Sequence, residues 1–250
     1  MGDRSGVTLA PQAALWPPDD TEESVLGTNL HQTTIRVLIT GINEAAALAT
    51  AEGATVPWQA GGQTMIRDFR RPDGTSYTTL PDVFVYRRPW DDGRGSLRVT
   101  TDGPPVLIVE VLSDETHEQD LDMERGKGYS YAHAGVAEYL ILDPAHAYLT
   151  EGGQGWRLAG GGYQPWQPGP TRRWASEALP LAFGLEGARA AVYAADGHRL
   201  LREGEAERTL LRERAASERR LREELARAER AYAAELAQLR RRLEELERGE

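Results

Sequence analysis

Residues 105–144 read PVLIVEVLSDETHEQDLDMERGKGYSYAHAGVAEYLILDP, and their pattern decides the fold. Residues 106–112 form a short, nearly continuous apolar run entered through Pro104-Pro105, as expected of an interior strand. A helix is expected over roughly 118–133, stopped by Ala134-Gly135, because glycine accepts the left-handed conformation that ends a helix. A second apolar run at 138–142 is closed by the turn pair Asp143-Pro144. Upstream, Leu30, Ile35, Leu38, Ile39, Ile42, Ala45, Ala46 and Leu48 follow helical spacing, and Glu52-Gly53 closes that helix. Between the two helices lie strand-like runs at 55–59, 64–69, 83–87 and 97–100. Gly61-Gly62, Pro72-Asp73-Gly74 and Asp91-Asp92-Gly93 separate them. A helix, several strands, a helix and a strand imply an α/β domain on a mixed sheet.

Residues 147–175 combine Gly152-Gly153 and Gly160–Gly162 with spaced aromatics, which predicts a meander of short antiparallel strands. The glycine run has no following Lys-Ser/Thr, so no phosphate-cradling loop is indicated. Residues 1–24 read as a loose tail, 25–195 as the domain and 200–250 as a separate helix. In that last segment Leu221, Leu225, Ala228, Tyr232, Leu236, Leu239, Leu243 and Leu246 form a heptad seam with one stutter. Such a seam would be exposed on a single copy, so a coiled-coil homodimer is expected, a lone solvated helix being the alternative.

The 250 residues contain no cysteine, which excludes disulfides, thiolate metal sites and a catalytic thiol. The start lacks the apolar core of a signal peptide and no apolar run is long enough to span a membrane, so a cytoplasmic protein is expected. The formal charge of −10 falls wholly on residues 1–200, because 201–250 balance. An acidic body argues against a sequence-blind nucleic-acid coat, though not against an enzyme with a local metal site.

Glu110 has Val and Leu neighbours on both sides in that interior strand, where an ionised carboxylate needs a metal, a cation or a shared proton. Asp82 opens the run at 83–87, so the two carboxylates can converge on one sheet. Two carboxylates, a carbonyl and waters suit Mg²⁺, with Mn²⁺ as the alternative ion. Lys127 is the one lysine among 29 basic Lys and Arg residues. Its compact ammonium can assist a water or offset developing charge as a guanidinium cannot. A structural Glu110–Arg or Glu110–Lys127 pair, with Asp82 capping a turn, reads the same residues without chemistry.

Pro81-Asp82-Val83, EVLSDET at 110–116, Lys127 and Tyr131 four apart, and AGVAEYLILDP at 134–144 together resemble the Uma-type family of the PD-(D/E)XK nuclease superfamily. LHQTTIRVLITGINEAA at 30–46 resembles its first core helix, and the likeness spans roughly 25–185. The resemblance implies a restriction-endonuclease-like αβββαβ core and a metal-dependent endonuclease acting on nucleic acid, chiefly DNA. It implies Asp82, Glu110 and the Val111 carbonyl as metal ligands, with Asp82, Glu110 and Lys127 catalytic. Leu112 stands where the simplest pattern has the lysine, and the resemblance moves that lysine to the helix at Lys127. The rival is a non-catalytic scaffold of the same fold whose helix recruits partners.

Around this set, Asp120 is read as an exposed face of the helix, with an additional acid supporting the site as the alternative; Tyr131 is read as core filling, or as a hydrogen-bonding group near the site; and His31 is read as a structural helix-start residue, or one lining the cleft. Glu44 receives no role. The 120–126 acidic run is not a calcium loop, since its glycine is displaced by one and Tyr131 takes the place of the final Glu. Arg67, Arg70, Arg71, Arg87 and Arg88 are candidate phosphate contacts, or ordinary surface arginines.

Overall fold

The structure, a computed structural model, describes residues 29–51, 53, 58–91 and 93–200, together with 219, 220, 222, 224, 227, 230 and 241. The expected N-terminal tail, residues 55–57 and every position of the heptad seam lie outside the described residues. The chain divides into two compact units, Met1–Arg202 and Glu203–Glu250. In the second, the described positions are helical and exposed.

The first unit runs α1 (Asn29–Ala51), β1 (Gln59–Gly61), β2 (Met65–Arg70), β3 (Ser76–Thr79), β4 (Val83–Tyr86), β5 (Ser96–Arg98) and α2 (Val99–Asp102). It continues through β6 (Leu107–Val111), α3 (His117–Leu121), α4 (Lys127–Ala134), β7 (Glu138–Leu142), β8 (Gly153–Ala159) and β9 (Gly162–Trp166). It ends with β10 (Trp174–Ala175), β11 (Leu181–Glu186) and β12 (Arg189–Ala194). Six strands form the main sheet in the order β1-β4-β6-β7-β8-β9. β6 and β7 are parallel and every other neighbouring pair is antiparallel, so the sheet is mixed and the class is α/β. Two three-stranded sheets, β3-β2-β5 and β10-β11-β12, complete it.

Every residue of β4, β6 and β7 is buried, as a strand covered on both faces requires. Side-chain alternation sends Val83, Val85, Val109, Val111, Leu140 and Leu142 to the cluster containing Ile35, Leu38 and Ile42 of α1. Phe84, Ile108, Tyr139 and Ile141 point to the opposite cluster with Phe69 of β2 and Tyr131 of α4. Burying a side chain such as Ile42 contributes about 1.5–3 kcal/mol relative to exposure. Asn43 clamps α1 to the edge of the sheet: its amide oxygen accepts from the Ala60 amide at 2.8 Å, and its NH₂ donates to the Ala60 carbonyl at 3.1 Å.

Three expectations change. The helix expected over 118–133 is two helices. Asp122 leaves the helical conformation, and its Oδ1 accepts the amides of Glu124 and Arg125 at 3.0 and 2.8 Å, so the side chain replaces helical backbone bonds. Gly126 then packs so tightly that a Cβ on it would lie 2.0 Å from the Gln119 carbonyl oxygen. The run at 97–100 stops at Arg98, whose amide donates to Asp102 Oδ2 at 2.8 Å while residues 99–102 turn into α2. Strands β3, β11 and β12 have no counterpart in the expectations. They are completed by pairing: Tyr77 is buried against Phe69's strand, and Phe183 opposite Val192. Of the meander expected over 147–175, the β8–β9 hairpin forms, with Gly160 and Gly161 at positive φ at its turn, whereas β10 pairs with β11 in a separate sheet. Among the described residues no helix is long and apolar enough to cross a membrane.

Candidate active site

Asp82 stands one residue before β4. The β4–β6 register, with Val83 opposite Val109, continues to place Asp82 opposite Glu110. The two residues are bound crosswise: the Asp82 amide donates to Glu110 Oε2 at 3.2 Å, and the Val111 amide donates to Asp82 Oδ2 at 2.8 Å. Gly62 fits this corner because it lacks a side chain; a Cβ there would lie 2.3 Å from the Asp82 carbonyl oxygen. The Gln63 amide donates to the Pro81 carbonyl at 3.1 Å, securing the same segment. From α1, buried His31 brings Nε2 to 3.3 Å from Asp82 Oδ2.

Glu110 is 1% exposed, on the face of β6 that α4 covers. Its Oε1 accepts a hydrogen bond from Tyr131 at 2.7 Å, and Thr79 Oγ1 lies 2.9 Å from the same tyrosine oxygen. Lys127 Nζ is 3.4 Å from Glu110 Oε1 and 3.1 Å from Asp120 Oδ1, with lysine and both acids buried. Thus Asp82, Glu110 and Lys127 are brought together, and Asp120 and His31 join them.

Three carboxylates share little water and few cations. Loss of hydration pushes the Glu110 carboxyl well above the usual range; Lys127 opposes this, while Asp120 and Asp82 add to it. Burial likewise raises Asp120, against the pull of Lys127. Burial alone would lower His31, but the hydrogen bond and charge of Asp82, with the Val111 backbone and the Asp120 charge, outweigh it and raise the imidazole. Burial also raises Tyr131, which keeps its hydroxyl a proton donor to Glu110.

Val111's amide and carbonyl lie on the same side of the strand, so both face the Asp82 corner. Two hard carboxylate oxygens and a carbonyl make a donor set suited to a magnesium-like ion, which keeps several waters. Among the described residues no three or more His, Cys, Asp or Glu side chains converge as a ready metal cluster. The donor set fits an ion bound through few protein groups.

Asp120 corrects the expectation of an exposed helix face: it is 1% exposed. The break at Asp122 places Asp120 on α3 and Lys127 at the start of α4, and Asp120 Oδ1 lies 3.1 Å from Lys127 Nζ. Tyr131 is core filling as expected and also a donor to Glu110. His31 contacts Asp82, and its signal was its place at the opening of the first helix. Glu44 is exposed on α1. Arg70, Arg71 and Arg87 donate to the carbonyls of Gly74, Ser76 and Ala178, and Arg88 to that of Asp102. Arg67 reaches Met65 Sδ at 3.4 Å.

The chain is similar to a solved structure titled as a putative nuclease belonging to DUF820 from Anabaena variabilis ATCC 29413. The two are 13% identical with a TM-score of 0.34, and the match covers 58% of this chain and 74% of that one. No curated protein matches the chain. The family model Uma2, described as putative restriction endonuclease, matches residues 24–189, which include the strands and helices that carry Asp82, Glu110, Asp120 and Lys127. With well over half its length matched, the chain belongs to the Uma2 family of putative restriction endonucleases.

Proposed function

We propose that this protein is a metal-dependent endonuclease of the cytoplasm that hydrolyses phosphodiester bonds in DNA. The observation that carries the reading is the convergence of Asp82 and Glu110 across β4 and β6, with Lys127 on Glu110. Asp82, Glu110 and the Val111 carbonyl would hold Mg²⁺ or Mn²⁺. When bound, that ion supplies Lewis-acid polarisation of the phosphate and a more acidic water. Lys127 contributes a fixed positive charge beside the carboxylates, where negative charge builds on the phosphate. Tyr131 fixes the Glu110 carboxylate by donation to Oε1, and His31 fixes Asp82 from the opposite side. Residues 200–250 would pair two copies through the heptad seam, which suits an enzyme that must cut both strands.

The test is cleavage of supercoiled plasmid and single-stranded DNA with Mg²⁺ or Mn²⁺, comparing wild type with Asp82→Asn, Glu110→Gln and Lys127→Ala. Metal-dependent cutting lost in all three variants supports the reading, and cutting that survives them overturns it. Light scattering of the full chain against residues 1–200 tests the pairing; a full chain of monomer mass removes it.

A second reading is favoured by a specific observation. Backbone amides, Tyr131, His31 and Lys127 already engage Asp82 and Glu110, as in a structural ion network. In that case the domain is a scaffold, and wild type cuts no substrate with either metal.

A further inference from the structure

Lys127 faces two buried acids, and they are not equivalent partners. Glu110 has other donors: the Tyr131 hydroxyl at 2.7 Å and the Asp82 amide at 3.2 Å. Asp120 has the shorter contact to Lys127, 3.1 Å against 3.4 Å, and both Asp120 and Lys127 are almost fully withdrawn from water. A buried ammonium left without an anion is strongly destabilising, so the acid that stays with it decides where it sits. The local chain is shaped around the same contact. Asp122 caps the turn, and Gly126 packs against the Gln119 and Asp122 carbonyls, where a Cβ would come within 2.0 and 2.5 Å. That break lies between residues 120 and 127, which meet across it.

We propose that Asp120 is the positioning residue for Lys127, holding its ammonium at the site and leaving Glu110 available to a second cation. This rests on the nuclease reading only for what the site does; the hold itself is a property of the folded chain. Without Asp120, Lys127 loses the nearer of the two buried acids it faces, and the lysine and any bound metal compete for Glu110. Asp120 acts through Lys127 and touches no substrate.

The chain's single lysine gives a direct test. Native wild type, Asp120→Asn and Glu110→Gln are treated with an amine-acylating ester (sulfo-N-hydroxysuccinimide acetate), and Lys127 labelling is followed by peptide mass mapping. The α-amino group serves as the internal reference. In Asp120→Asn the labelling rate of Lys127 should rise by about tenfold or more, the equivalent of losing about 1.4 kcal/mol of protection. In Glu110→Gln it should stay near the wild-type rate. Unchanged labelling in a folded Asp120→Asn overturns the proposal, as does labelling released by Glu110→Gln instead. Should Asp120→Asn fail to fold, Glu110→Gln decides alone: Lys127 stays protected if Asp120 holds it and becomes labelled if Glu110 does.

The cleavage assay adds the functional half. Asp120→Asn should lower kcat by about ten- to hundredfold with KM little changed, the usual scale for a group that orients a site from behind. A merely structural residue would lower the folded fraction and leave the kcat of folded molecules intact. Labelling uses no DNA, so a protected Lys127 in a protein that cuts nothing sinks the nuclease reading and leaves the hold standing.

Discussion

Glu110 and Glu138 lie at opposite ends of the same parallel strand pair, and water reaches neither, with exposures of 1% and 2%. Their surroundings differ in kind. Glu138, at the start of β7, meets one guanidinium and two neutral donors. Arg157 Nε lies 3.1 Å from its Oε1, the Glu177 amide donates to the same oxygen at 2.7 Å, and the Ser176 hydroxyl donates to Oε2. Arg157 in turn stacks on Trp166, with its guanidinium carbon 4.7 Å from the ring centre. Arg157 also pairs with Glu177 at 2.7 Å, but Glu177 is exposed to water, so Glu138 is the one buried acid on this guanidinium, and the arrangement ties β7, β8 and the β10 region together. Glu110, near the carboxyl end of β6, shares a single ammonium with Asp120 and lies beside Asp82. Crowded buried like charges raise proton affinity and favour an added cation, whereas a lone buried acid with a guanidinium and two neutral donors has less use for one. Open α/β sheets place ligands beyond the carboxyl ends of their strands, which is the Glu110 end.

The sharpest break in the comparison comes from cleavage. Glu110→Gln should reduce metal-dependent plasmid cutting by at least about a hundredfold, the scale of losing a group aimed at developing charge. Glu138→Gln should leave the activity of the folded fraction within about twofold. Equal losses at the two ends would erase the distinction. Stability should respond in the reverse order. Glu138→Ala removes one partner of a buried pair and should cost about 3 kcal/mol in urea unfolding, the low end of that range because Arg157 is partly exposed. Glu110→Gln in metal-free buffer should cost far less, since it relieves like-charge crowding.

The pH dependence follows from the direction of the Glu110 shift. Burial chiefly, opposed by Lys127 and reinforced by Asp120 and Asp82, makes the folded protein hold this proton more tightly than the unfolded chain does. Its stabilising contribution is therefore complete below the ordinary carboxylate range and is lost as pH rises through the raised value. The Tm of Glu110→Gln relative to wild type should rise without metal as the pH is raised from the ordinary carboxylate range upward; a flat difference would contradict the shift. The smallest effect is expected of Tyr131→Phe. It removes the donor to Glu110 and the contact with Thr79 while keeping the ring packing, and should cost about 1 kcal/mol in thermal unfolding.

Much of this was legible in the chain. The valines and leucines around Glu110 announced a buried carboxylate, because only an interior strand hides that run on both faces. The apolar spacing from Leu30 to Leu48 announced the helix that covers one side of the sheet. Glycines read as punctuation were partly something else: Gly61 is the last residue of β1, and Gly62, in the link to β2, also leaves room for the Asp82 carbonyl. Strands β11 and β12 escaped notice because Ala182, Gly184, Ala190 and Ala191 have weak strand preference alone, and their extended form depends on pairing with each other.

By itself, the sequence determined the α/β class and the strand order around β6 and β7 from local periodicity, and it offered Glu110 as a charge in an apolar run, Lys127 as the one lysine and Asp82 as the opening of a neighbouring run, with the family resemblance deciding between site and scaffold. Only the tertiary structure decided that Asp120 is buried, that His31 meets Asp82 and that Lys127 lies between two acids. Those facts depend on how elements distant in sequence pack: His31 of α1 meets Asp82 ahead of β4, and the Asp122 cap divides one expected helix into two, with Asp120 Oδ1 3.1 Å from Lys127 Nζ across the break.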